Sequence, residues 1–160
     1  MKYFYILLIS IACLALTGCG GSSSSDNGIT LTPQQQEFAD VVYAFATAVN
    51  DKDKERAKKL IMADVVYNKT YGYDEFKNRL ENFIDSAENI NFQVKDIGVA
   101  FLDTNLDSAE VRADVTIKFN TNAEINEILE IYVEKSGSLK GITLFQKYRS
   151  EVSAFPPVLE

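Results

Sequence analysis

The chain has 160 residues, 46% of them apolar and 24% charged, which suffices for one hydrophobic core with appendages. Its formal charge of −7 repels polyanions and excludes nucleic acid as a partner. Histidine is absent and the cysteines are Cys13 and Cys19, so zinc sites and Ser-His or Cys-His nucleophile pairs are excluded as well.

In chain order, Lys2 precedes the apolar run YFYILLISIACLAL, which ends at Leu16-Thr17-Gly18-Cys19. The run is shorter than the ~20 residues of a spanning helix and has the length of a signal-peptide core. Its last four residues resemble the bacterial lipobox: an aliphatic residue, two small residues that let a peptidase approach the backbone, and a cysteine. The alternative is an ordinary secretory signal whose cleavage site happens to contain cysteine. The resemblance implies removal of residues 1–18 and a diacylglyceryl thioether on Cys19. Loss of residues 1–18 removes only Lys2 among the charged residues, and Cys13 leaves with them, so Cys19 has no partner for an internal disulfide. Two acyl chains at ~0.8 kcal/mol per CH₂ contribute on the order of 20 kcal/mol, so anchorage would be permanent. Residues 19–32, rich in Gly and Ser, read as the lipidated cysteine and a flexible tether. Gly20 behind the cysteine implies, in a two-membrane bacterium, the outer membrane facing the periplasm.

The folded part, residues 33–160, begins at Thr32-Pro33, an N-cap followed by a proline suited to the first helical turn. Phe38, Val41, Val42, Phe45, Ala48 and Val49 then recur at the spacing of one buried helix face. The stretch DKDKERAKK, residues 51–59, alternates in sign and reads as a solvated helix face rather than a basic patch. This second helix, starting at Asp51 or Asp53, is expected to bury Ala57, Leu60 and Ile61, with Asp64 near its end. A third helix from Tyr73 presents Phe76, Leu80, Phe83, Ile84 and Ala87.

The period then changes to two. Val111, Ala113, Val115, Ile117 and Phe119 alternate with Arg112, Asp114, Thr116 and Lys118, as in a half-buried strand. NFQVKDIGVAFLD lies before it, EINEILEIYVEK after it and LKGITLFQKYRS last. Ser136-Gly137 signals a hairpin between the final two, and residues 103–108 the turn of the preceding one. Helices first and an antiparallel meander afterwards predict an α+β domain, with helices packed on one face of the sheet.

This order of elements resembles the NTF2-like superfamily, cone-shaped domains whose curved antiparallel sheet wraps a long first helix. FADVVYAFATAVNDKDKERAKKLI is similar to the family's first two helices, MADVVYN to the segment that follows them, and LEIYVEKSGSLKGITLF to its closing hairpin. Leu139 stands where the family commonly has an aromatic residue. The resemblance implies a cone pocket for a small apolar ligand and a sheet face able to form a homodimer; no cofactor is expected. Phe45, Tyr67, Tyr71, Tyr73 and Phe83 are the candidate pocket-lining residues, the tyrosine hydroxyls orienting a ligand. The structural alternative is that they are core and rim residues. Tyr43 lies on the opposite side of the first helix from Phe45 and cannot share a cavity with it.

Two functional readings follow. One is a non-catalytic module that binds a small ligand or an envelope protein. The other is a ketosteroid-isomerase-like or polyketide-cyclase-like enzyme, which needs a carboxylate base in the cone and donors for an enolate oxygen. The family segment that carries the base falls here on Asn68 and Lys69. Asn68-Lys69-Thr70 also matches an N-glycosylation acceptor, read here as accidental. Glu124, Glu127, Glu130 and Glu134 read as an acidic, solvent-facing strand that discourages edge pairing. No metal-ligand spacing occurs, and the metal-site expectation is none. The anchor reading yields a direct expectation: Cys19→Ala should move the protein from the membrane pellet to the soluble fraction. Retention in the pellet after a carbonate wash would refute the anchor.

Overall fold

The computed structural model describes residues 30–67, 72–149 and 153–157. Its elements are α1 (Pro33–Asn50), α2 (Lys54–Lys59), β1 (Ile61–Tyr67), α3 (Tyr73–Ser86), β2 (Ile90–Phe101), β3 (Ser108–Phe119), β4 (Ala123–Ser136) and β5 (Leu139–Lys147). Residues 1–29, which include the leader, Cys19 and the tether up to Ile29, lie outside the described residues, as do Asn68, Lys69 and Tyr71. The five strands form one open, curved sheet in the order β1-β5-β4-β3-β2, antiparallel except for the β1–β5 pair. The helices pack against the sheet, as the α+β expectation requires.

α1 starts where the sequence says it should. The Thr32 hydroxyl accepts the Gln35 N–H at 3.3 Å and the Gln35 side chain accepts the Thr32 N–H at 2.9 Å, a complete capping box with Pro33 beside it. All six residues of its expected stripe are buried, together with Ala39 and Ala46. So broad a buried arc places α1 in the hollow of the sheet rather than on its surface. Its two ends are fastened to the outer edge of β2. Gln35 donates to the Val99 carbonyl at 2.9 Å, while Asn50 donates to the Phe92 carbonyl at 3.0 Å and accepts the Phe92 N–H at 2.6 Å. These amides satisfy backbone groups that an edge strand would otherwise present to another chain.

The second helix is shorter than its pattern suggests. Asp53 caps it by accepting the Arg56 N–H at 2.9 Å, and the helix ends at Lys59 with Leu60 as C-cap. Ile61 is buried as the first residue of β1, not on a helix, and Asp64 is an exposed residue of that strand rather than a helix terminator. The physical reason is Val65-Val66-Tyr67, a β-branched and aromatic run that favours extended backbone. Gly141 on β5 lets the chain pass close by. A Cβ there would lie 2.6 Å from Met62 Sδ.

α3 buries Phe76, Leu80, Phe83 and Ile84 as expected, with Ala87 buried at its C-cap. A clasp of charges joins it to α2: Lys58 reaches Glu55 and Glu81 at 2.6 Å each, and Lys54 reaches Asp85 at 2.8 Å. The two glutamates push the Lys58 ammonium well above its ordinary value by accepting its hydrogen bonds.

β3 shows the expected alternation with one exception, Thr116, which is buried on the far face and donates to Asn126 at 2.5 Å. The β4–β5 loop is the two-residue turn Gly137-Ser138, with Gly137 at φ +63° as a tight hairpin requires. In the β2–β3 turn Asp103 accepts the Asp107 N–H at 3.1 Å and the Ser108 hydroxyl. The Ser108 hydroxyl, then the Asp107 N–H, hold its carboxyl below the ordinary value of 3.8. A depressed pKa contributes stability above that value and loses it as pH falls through the folded-state pKa. The stability difference between wild type and Asp103→Asn, read from urea midpoints, should therefore be full above about pH 5 and shrink steadily below it.

Candidate functional site

The hollow between the helices and the sheet is lined by rings. Phe45 from α1 lies 6.5 Å from Phe76, 6.3 Å from Phe92 and 5.9 Å from Phe145, centroid to centroid. Phe76 from α3 stacks on Tyr67 at 4.7 Å and meets Phe145 at 5.0 Å. Phe83 meets Phe119 edge-on at 5.3 Å. Spacings of 4.5–7 Å with tilted or perpendicular planes are those in which aromatic quadrupoles attract.

Into this hollow the chain inserts its own C-terminal segment, residues 153–157. Phe155 is fully buried, 5.3 Å from Phe83, 5.3 Å from Phe92, 5.8 Å from Phe145 and 6.4 Å from Phe45. Its carbonyl accepts the Tyr67 hydroxyl at 3.0 Å. The polar counterpart is Glu127, a buried carboxylate on β4, the central strand of the sheet. One of its oxygens accepts the Ser153 hydroxyl at 2.7 Å and the other the Ala154 N–H at 2.8 Å. The Phe155 N–H in turn donates to Ser153 Oγ at 3.0 Å. The segment is thus read by a ring hollow, a carboxylate and a phenol.

Glu127 corrects the reading of the four glutamates as one solvent-facing row. Along a strand, faces alternate with period two. Glu124, Glu130 and Glu134 have even numbers, whereas Glu127 shares its parity with buried Ile125, Leu129 and Ile131. That signal was present in the spacing. β4 is also not an edge strand, so the glutamates do not serve to discourage edge pairing.

Of the expected pocket residues, Phe45, Tyr67 and Phe83 come together around Phe155. Tyr73 sits apart, half-buried at the start of α3, with Lys77 Nζ 5.7 Å from its ring centroid and Lys58 and Lys59 nearby. Tyr71 lies outside the described residues. Tyr43 is half-buried on the other side of α1, where burial and then the charges of Asp96 and Asp40 raise its pKa. Ser153, Ala154 and Phe155 were not singled out from the sequence. A phenylalanine in front of Pro156-Pro157 in a short tail was the available cue.

On the opposite face of the sheet, Arg112 lies over the Tyr148 ring at 4.3 Å, pairs with Glu110, and borders a depression of about 220 Å³ above Gly98. Among the described residues no three His, Cys, Asp or Glu side chains converge as a metal site would require.

No protein-family model matches the chain, and no curated protein matches it. Solved structures do. Bd1075 of Bdellovibrio bacteriovorus superposes with a TM-score of 0.61 at 15% identity, over 70% of this chain and 40% of that one. This chain therefore spans well under half of Bd1075. A proposed dehydratase of the NTF2-like family from Streptomyces avermitilis gives 0.57 at 15% identity, over 69% of this chain and 91% of that one. A protein of unknown function with a cystatin-like fold from Nostoc punctiforme gives 0.56 at 14%, over 74% and 93%. The fold of this chain is the one shared by these NTF2-like and cystatin-like structures.

The geometry makes the Tyr67 hydroxyl a measurable contributor to holding the segment. Tyr67→Phe leaves the buried Phe155 carbonyl without this donor and should lower stability by about 1–2 kcal/mol. The urea midpoint should fall while the slope of the transition stays unchanged.

Proposed function

We propose that this chain is a cell-envelope lipoprotein that presents its α+β domain as a non-catalytic binding module. The thioether on Cys19 would hold it to the membrane, in a two-membrane bacterium the outer membrane facing the periplasm, and the tether between Cys19 and Leu31 would give the domain reach. It would bind a small apolar ligand or an envelope protein. The outer face of the sheet is the surface it would offer to a second copy.

The observation that carries the non-catalytic reading is the state of Glu127. An isomerase or cyclase of this fold needs a carboxylate free to take a proton from a carbon acid in an open hollow. Here both oxygens of the buried carboxylate hold Ser153 and Ala154, and the space above it is filled by Phe155. With the segment in place, there is no room for a carbon acid beside this carboxylate. The proposed dehydratases among structures of similar fold keep the catalytic reading as the alternative.

Deuterium exchange at the α-carbon of cyclic enones and ketones, followed by NMR, separates the two readings. Wild type and Glu127→Gln should both leave the uncatalysed rate unchanged. Acceleration by wild type that Glu127→Gln abolishes would establish an enzyme and end the binding-module reading. Mass spectrometry of the detergent-extracted protein should show the acyl mass on the Cys19 peptide.

A further inference from the structure

Residues 153–157 pair with none of the five strands among the described residues. Among the contacts that hold them are the buried Phe155 ring and Pro156, and hydrogen bonds with the Glu127 and Tyr67 side chains. Part of the wall of the hollow is also braced by contacts that do not involve them. Phe45 of α1 meets Phe92 of β2 and Phe145 of β5, and Phe83 is backed by Phe119. Departure of the segment would leave these ring pairs to line the space.

Glu127 makes this more than core packing. A buried carboxylate is costly unless its oxygens are matched, and an apolar residue of similar size is often neutral or better at such a place. Its neighbours of the same parity on β4 are apolar. Both oxygens of Glu127 face donors supplied by the segment, a hydroxyl and an amide N–H, while Tyr67 supplies the donor for the following carbonyl. Acceptor, ring hollow and donor follow one another in the order hydroxyl and N–H, phenyl, C=O. That is the recognition pattern of a peptide with a hydroxyl residue two places before a phenylalanine.

We propose that the hollow over β4 is a peptide-binding site of this specificity, and that Ser153-Ala154-Phe155 is its resident self-ligand, displaced when a partner's Ser/Thr-x-Phe segment binds. The site rests on the binding-module reading and gives it a ligand class. Occupation by the chain's own segment lowers the apparent affinity for a partner by the fraction of time the site is free. A tethered competitor present at millimolar effective concentration makes that reduction large.

The probe is a dye-labelled acetyl-Ser-Ala-Phe-Pro-Pro-amide, titrated by fluorescence anisotropy against the full mature chain. Phe155→Ala weakens the resident competitor and should bind the probe at least tenfold more tightly than wild type. Adding Glu127→Gln should cost at least tenfold, because an amide cannot accept at both positions. The Ser-Ala-Ala-Pro-Pro peptide should not compete. A folded Phe155→Ala chain that binds the probe no better than wild type, or is competed equally by the alanine peptide, overturns the proposal. Should Phe155→Ala not fold, hydrogen exchange of wild type decides. The Ala154 and Phe155 amides should exchange by local opening at least a hundredfold faster than those of Ile117 and Leu129. Exchange of all four only through global unfolding makes the segment fixed core and likewise overturns the proposal. Catalysis lost in Glu127→Gln would count against the binding-module reading alone, so the two failures are distinguishable.

Discussion

Phe155 occupies the point where most of the domain meets. Its ring touches α1 through Phe45, α3 through Phe83, β2 through Phe92 and β5 through Phe145, and its carbonyl is held by Tyr67 of β1. The two residues before it are held by Glu127 of β4. A curved sheet wrapped around one helix leaves a hollow that must be filled, because an unfilled apolar cavity forfeits dispersion contacts on every wall. This chain fills the hollow with its own tail. A buried phenylalanine in such a place contributes about 3–5 kcal/mol by the measure of truncation to alanine. That is a large part of the 5–15 kcal/mol by which a domain is stable at all.

The other elements are arranged so that this hollow has fixed walls. Gln35 and Asn50 attach both ends of α1 to the free edge of β2, which sets the tilt of the helix across the sheet. Lys54 and Lys58 attach α2 to α3 at the other side, and the Lys52 ammonium donates to the Ala87 carbonyl at the end of α3. The Lys54–Asp85 pair is substantially exposed, so it orients the helices more than it stabilises them, while the Lys58–Glu81 pair is partly buried. The stabilising weight lies in the rings, and the charges decide where the rings stand.

How far this could be read from the sequence follows from the reach of the signals. Thr32-Pro33, the stripe Phe38 to Val49 and the alternation Val111 to Phe119 are local periodicities, and each became the element it indicates. β1 was missed because its seven residues pair in parallel with β5, far along the chain, and local pattern carries no sign of that partner. The break after Lys59 was misplaced for the same reason: Leu60 and Ile61 suit a helix face as well as a strand. Phe45, Tyr67 and Phe83 were legible as aromatic residues of the interior, but their common neighbour was not. Phe155 lies 88 positions from Tyr67, in a tail without periodicity. Glu127 was different: its parity was readable, and reading four glutamates as one acidic face concealed it.

Glu127 also separates this domain from a simple filled cone. Had the tail been needed only to close the hollow, Phe155 and an aliphatic residue at position 127 would have sufficed, at lower desolvation cost. A carboxylate there gains from its environment only while two donors stand before it. With the tail withdrawn, it would face the hollow uncompensated until water or another donor pair arrived. The site is thus destabilised when empty and satisfied when occupied, and the occupant it favours has the hydrogen-bonding sense of a peptide. The same constraint separates binding from catalysis on this fold. Proton transfer requires a carboxylate with open space for a substrate beside it, whereas recognition requires one whose two oxygens each meet a matched donor, which is how Glu127 stands.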